Sequence, residues 1–355
     1  MHLMTPSHPT TAALLFILLA TCAPPREDIG NGKAQTTGPF AGKTLTIAMP
    51  PGRIEDFNRI IAPEFERLTG AVVRPIGLRS ADQVARLRIE KRRPSTDVLW
   101  IDLGEAQLLA GEGLLARPSE RDIPNLKHIR DHAKSELGIA PITFSSALGF
   151  IYNTEIVKEP PTSWADLWSP RFRHQLALFD FGSSLGPVTL VMAARLNGGS
   201  ETNIEPGFRK LAELKENAVS FRTSGPGNNQ LVAQGEAGVT FGLANQALEL
   251  KAAGAPVEWL VPSEGAIALP QGFQVVEGVP ELELAWAFVN YALGTEAQTR
   301  LAHELLVVVT NKQVVLDPTI APLVPVENIL YFDFEEIGAE RGAWTNRFNR
   351  EILGG

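Results

Sequence analysis

Residues 147–170 read ALGFIYNTEIVKEPPTSWADLWSP. ALGFIYN is an apolar strand that stops at Asn153, and EPP then breaks the chain. Ser163, with Asp166 three residues on, is placed to cap a short helix beginning at Trp164. Working outward, strands and helices alternate on both sides. LTIAMP (45–50) is a short buried strand, and Gly52 admits a turn. A helix is expected over 53–68, with Phe57, Ile60, Ile61, Phe65 and Leu68 on one face. Pro63 should kink it and Gly70 should end it. AVVRPIGL (71–78) is the next strand, with Ser80 as N-cap of a helix reaching Arg93. DVLWID (97–102) and GEAQLLAGEGLL (104–115) continue the alternation. LALFDF (176–181), PVTLVMAARL (187–196), FRKLAELKEN (208–217), AVSFRT (218–223) and GVTFGLA (238–244) repeat the pattern as a second unit. Short connections between such elements predict an α/β fold of mostly parallel sheets flanked by helices.

The chain has 355 residues, a net charge of -8 and one cysteine, Cys22. Beyond the first 42 residues, over 300 remain, enough for two domains of ordinary size. With one cysteine there is no internal disulfide. Charges of both signs are interspersed, so nothing resembles a basic footprint for nucleic acid. Residues 12–20 form an apolar run of signal-peptide length, too short to span a bilayer. Leu19-Ala20-Thr21-Cys22 resembles a lipoprotein processing box with Cys22 as the lipidated residue. The alternative is a soluble exported protein. Residues 23–42 are rich in Pro, Gly and Thr and read as a flexible tether.

Further words follow residues 147–170 in order. They are QGEAGVTFGLANQALEL (234–250), AGAPVEW (253–259), VPSEGAIALPQG (261–272), ELELAWAFVNYALGTEAQTRLA (281–302) and RGAWTNRFNREI (341–352). In this order they resemble the periplasmic solute-binding proteins of bacterial ABC importers, in the spermidine/putrescine-like and iron-like branch (extracellular solute-binding protein family 1). The resemblance runs over about residues 45–352. It implies the two-lobed, type II periplasmic-binding-protein fold with a ligand cleft between lobes joined by crossing strands. We expect lobe 1 to comprise 43–146 plus 268–314, and lobe 2 to comprise 147–267 plus 315–355. Crossings are expected near 143–149, 262–271 and 311–318. An ABC permease and its ATPase are the implied partners, with a monomeric chain and no cofactor or metal. A ligand-sensing role for a chemoreceptor or regulatory system is the alternative.

In open parallel sheets, ligands sit beyond the carboxyl ends of strands. That rule selects the loops 49–53, 79–81, 102–105, 181–186, 223–229 and 242–246. Within them, Ser183 and Ser184 stand at a helix start, where free N–H groups and the dipole favour an anion. Ser224, Gly227 and Asn228 could form a similar polar nest, and Arg53 could pair with a carboxylate or phosphonate. The candidate ligand-binding set is Arg53, Ser145, Ser183, Ser184, Ser224, Asn228, Asn245 and Gln271. Polyamine-binding members carry Trp where Leu243 stands and Trp-x-Asp where this chain has Leu269-Pro270-Gln271. Iron-binding members use adjacent tyrosines, which are absent here. The expectation is a cleft short of acids and aromatics that takes a small organic anion or zwitterion.

One enzymatic motif stands out. Gly182-Ser183-Ser184-Leu185-Gly186 is a G-x-S-x-G between a strand and a helix. The only later histidine is His303, in an apolar-periodic helix rather than a loop. No Asp lies between it and Ser184. A non-enzymatic binding role is therefore favoured over a serine hydrolase.

Overall fold

The computed structural model describes residues 37–354 except Glu120 and Glu136. Cys22, the apolar run before it and most of the tether lie outside the described residues. The chain begins with β1 (Thr44–Met49). The helix expected over 53–68 forms as two pieces, α1 (Ile54–Ile60) and α2 (Ala62–Thr69). The break at Ile61 follows from Pro63, which lacks an N–H and clashes with the preceding turn. Gly70, at φ 74°, supplies the left-handed residue that ends α2.

Next come β2 (Val72–Gly77) and α3 (Ser80–Glu90). The N-cap position of α3 falls on Arg79 rather than on the expected Ser80. The Ser80 hydroxyl is engaged elsewhere, donating to Asp102 Oδ2 at 2.9 Å. The helix stops at Glu90, short of Arg93, and the Glu90 carboxylate turns to accept the Ser95 hydroxyl at 2.6 Å. β3 (Val98–Asp102), α4 (Leu103–Gly111) and β4 (Phe144–Asn153) follow. Then come β5 (Leu176–Phe179), α5 (Leu185–Arg195), α6 (Glu205–Leu214), β6 (Ala218–Arg222), α7 (Gly225–Ala233) and β7 (Val239–Leu243). α8 (Ala244–Ala252), β8 (Val257–Leu260), β9 (Ala266–Val275), α9 (Leu282–Ala292) and α10 (Thr295–Leu305) lead to β10 (Val308–Val309), β11 (Ile329–Leu330) and α11 (Phe334–Phe348).

Among the described residues the strands join one sheet in the order β2-β1-β3-β9-β4-β7-β5-β6, with β8 and β10 on β4 and β11 on β9. Both ends of this path are parallel: β1 with β2 and β3, and β5 with β6 and β7. The middle is antiparallel, because β4 and β9 run against each other from Phe144↔Gln271 to Leu148↔Ile267. On its far edge β9 pairs with β3 down to Gln271 and with β11 up to Ile267. Residues 268–270 therefore have no second neighbour. Pro270 falls in that gap, where a missing N–H harms the ladder least.

Two hydrophobic cores flank this middle. One gathers Ile47, Phe65, Trp100, Phe144, Phe273 and Phe288. The other gathers Leu148, Phe150, Phe179, Phe241, Ile267, Trp344 and Phe348. Both β4 and β9 thus give side chains to both cores, and the α/β fold is two-lobed. In the first core, Phe288 meets Phe65 and Phe273 edge-on at 5.2 and 5.0 Å between ring centroids. In the second, Phe181 stacks on Phe348 at 4.3 Å.

Residues 162–168 clamp the approach to β9. Ser163 Oγ accepts from Ala165 N at 3.0 Å, and Asp166 Oδ2 accepts from Ser163 N at 3.3 Å. This reciprocal cap opens a short 3₁₀ helix, Trp164–Trp168, as the sequence suggested. Trp164 Nε1 then donates to Gly265 O at 2.9 Å, and Glu264 accepts from the Ser163 hydroxyl at 2.5 Å.

Phe288 is fully buried. Phe288→Ala should cost about 3–5 kcal/mol. The check is a lowered urea midpoint at unchanged slope; a loss under about 1 kcal/mol would mean the ring cluster collapses onto the gap.

Candidate functional site

A cavity of about 870 Å³ opens where four segments converge. Its lining includes Asp102 and Glu105 at the start of α4, Leu269, Pro270 and Gln271 of β9, Ser184 and Pro187 at the start of α5, and Phe334, Ile337 and Arg341 of α11. The unpaired stretch of β9 is thus one wall. The lining carries four carboxylates, Asp102, Glu105, Glu112 and Glu335, against one guanidinium, Arg341. Glu112 is already paired with Arg88 at 2.5 Å.

A polar chain runs behind the Asp102 wall. Trp100 Nε1 donates to Gln271 Oε1 at 2.9 Å, Gln271 Nε2 donates to Asp102 Oδ1 at 2.8 Å, and Ser80 holds Asp102 Oδ2. Glu105 lies one turn along α4 from Asp102. Burial pushes its carboxyl above the usual glutamate range, the Asp102 charge adds to the rise, and Arg341 opposes both.

On the opposite wall, Asp180 organises the loop before α5. Its carboxylate accepts the Thr223 hydroxyl at 2.9 Å and the Gly182 N–H at 2.8 Å. Gly186 sits so close to the Asp180 carbonyl oxygen that a Cβ there would lie 2.3 Å from it. Arg341 reaches this loop, Nη2 donating to Gly182 O at 3.4 Å.

Of the residues chosen from sequence, Ser184 and Gln271 line the cavity. Ser184 is exposed and its hydroxyl caps nothing. Ser183 stands beside it, its Oγ accepting Leu185 N at 3.2 Å. The amides expected to serve an anion here are largely occupied: Leu185 and Gly186 donate to Ser183, and Pro187 has no N–H. The other candidates are not in this lining. Arg53 faces Asp56 at 3.6 Å. Ser224 caps α7, accepting Gly227 N at 3.2 Å. Asn228 is fully buried and donates to Leu178 O at 3.0 Å. Asn245 is half-buried on α8. Ser145 is fully buried within β4.

The loop 102–105 was selected from sequence, but the cleft was expected to be short of acids. The carboxylates of Asp102, Glu105 and Glu335 correct that expectation. Arg341 lies in residues 341–352, which carry the family resemblance in sequence but no ligand signal of their own. His303, the only histidine after Ser184, is exposed on α10, which packs in the first core, and is not a hydrogen-bond partner of Ser184.

A two-lobed sheet with a cavity at the starts of α4 and α5 has room for a small solute. The comparisons agree. The chain belongs to the bacterial extracellular solute-binding protein family, whose model matches residues 61–326. It is 28% identical over 246 residues to a Salmonella typhimurium periplasmic protein provisionally assigned to 2-aminoethylphosphonate binding, covering 67% of this chain and 69% of the relative. It is 25% identical over 297 residues to spermidine/putrescine-binding periplasmic protein 1 of Haemophilus influenzae, covering 79% of each. A solved structure from Bordetella parapertussis, provisionally an extracellular solute-binding protein, superposes with TM-score 0.80 at 21% identity, covering 88% of this chain and 99% of that one. The chain is therefore an extracellular solute-binding protein, and its family is not one of enzymes.

Gly186→Ala should displace the 180–186 loop and weaken solute binding by about tenfold or more, because the clash is with backbone; calorimetry against a bound solute reads it. For Glu105 the folded carboxyl binds its proton more tightly than the unfolded one. The stability it contributes is present at low pH and lost as pH rises through the raised value. Glu105→Gln should therefore melt above the wild type near neutral pH, with the advantage vanishing in acid. Equal melting temperatures across that window would remove the buried-charge account.

Proposed function

We propose that the solute is a small zwitterion, with an ammonium at one end and a phosphonate or carboxylate at the other. The observation that carries this is the mixed charge of the cavity lining, which holds Asp102 and Glu105 together with Arg341 and the uncommitted Ser184 hydroxyl. A carboxylate pair suits an ammonium, and a guanidinium with a hydroxyl suits a tetrahedral or planar anion. An ammonium is also the group common to 2-aminoethylphosphonate and to the polyamines named for the two relatives. Of the anion and zwitterion expected from sequence, the acidic lining favours the zwitterion.

Capture would proceed by closure of two lobes, 43–146 plus 268–314 against 147–267 plus 315–355. The support is that β4 and β9 join separate cores through a short antiparallel stretch. A solute touching both walls stabilises the closed arrangement and shifts the population toward it. The closed protein would then dock on the permease. Lipidation of Cys22 would hold it at the membrane, a reading that rests on the processing box alone and that the mass of the mature N-terminus tests.

A diamine is the second reading, favoured by the excess of carboxylates over Arg341. Calorimetry with 2-aminoethylphosphonate, ethylphosphonate and putrescine separates the two. The zwitterion should bind on the order of tenfold or more tighter than ethylphosphonate, the worth of one charge-assisted contact. Arg341→Gln should lose the phosphonates and keep putrescine. Tight putrescine binding with no binding of either phosphonate would install the diamine instead.

A further inference from the structure

Gln271 lines the cavity, yet both ends of its amide are engaged within the protein. The engagement has a direction. Trp100 is buried, and its ring is held edge-on by Phe144 and Phe273, each 5.3 Å away between centroids. An indole N–H can only donate, so the Gln271 atom facing it at 2.9 Å must be the carbonyl oxygen. The amide nitrogen then has to face Asp102, donating at 2.8 Å. With Ser80 on the other oxygen at 2.9 Å, the Asp102 carboxylate is fixed at both ends.

We propose that Gln271 is a positioning residue: it transmits the fixed orientation of the Trp100 indole to Asp102, and Asp102 is the group that takes the solute's ammonium. This rests on the zwitterion reading. A carboxylate held in place by two donors loses little freedom when an ammonium arrives, so more of the contact energy appears as affinity. The neutral amide discriminates for the ammonium only through Asp102.

The test is the amine preference, the ratio of Kd for ethylphosphonate to Kd for 2-aminoethylphosphonate, measured by calorimetry on the full chain. Asp102→Asn should bring the ratio close to one. Gln271→Leu should lower it by about tenfold while changing ethylphosphonate affinity less than about threefold. Trp100→Phe keeps an aromatic ring in the core and removes the indole N–H along with part of the ring volume, at a site outside the cavity lining. It should lower the ratio in the same sense, and it decides the matter if Gln271→Leu fails to fold. If Asp102→Asn abolishes the preference while folded Gln271→Leu and Trp100→Phe keep the wild-type ratio, the positioning role is wrong and the zwitterion reading stands. Equal loss of both ligands in Gln271→Leu also overturns it. A wild-type protein with no amine preference overturns the zwitterion reading, and this inference with it.

Discussion

The fold hangs on one antiparallel ladder, Phe144 to Leu148 of β4 against Ile267 to Gln271 of β9. Every other strand pairing lies to one side of it or the other. Because the two strands outrun their shared stretch, each feeds both cores from one face, at opposite ends of its length. A one-residue slip would turn Phe144 and Phe273 out of one core and Leu148 and Ile267 out of the other. The register is therefore held at both ends by burial, and the middle can be left thin. That thin middle is where β9 has a neighbour on one edge only, and where Leu269 and Pro270, with Gln271 beside them, line the cavity.

The site is built by devices that act at a distance from it. Asp180 gathers Thr223 and Gly182 so that Ser184 is presented at the start of α5. Trp100 and Ser80 fix the opposite wall through Gln271 and Asp102. The C-terminal segment is tied to the second lobe by Glu201, which accepts Arg195 at 2.5 Å and Asp333 N at 2.9 Å. That tie sets where α11, and so Arg341, begins.

Much of the local architecture was legible. The Ser163–Asp166 cap, the break at Pro63 and the stop at Gly70 each follow from the chemistry of a few neighbouring residues. The errors share a different origin. Ser80 reads as a cap because nothing nearby shows that Asp102, 22 positions on, takes its hydroxyl. The Gln271 amide reads as free because Asp102, 169 positions away, is not visible as its partner. The start of α5 reads as a nest of free amides, although the neighbouring Ser183 and Pro187 remove them. Strand ends pointed to the loop at 102–105, which lines the cavity. They could not say which side chains face the cavity, since that depends on the packing of α11 against α4.

The second core has a consequence for how the protein is made. Its strands and helices between Leu176 and Leu243 are synthesised early, yet Phe332, Ile337, Trp344, Phe348 and Ile352 close it. Until those residues are added, Phe181 and Phe208 lack the Phe348 and Arg347 that cover them, and the ladder between β4 and β9 must already span more than a hundred residues of intervening chain. Such non-local closure is slow. For a chain of an extracellular family, slowness of this kind keeps it loose enough to be threaded through a membrane, and postpones commitment to a compact lobe until most of it has crossed.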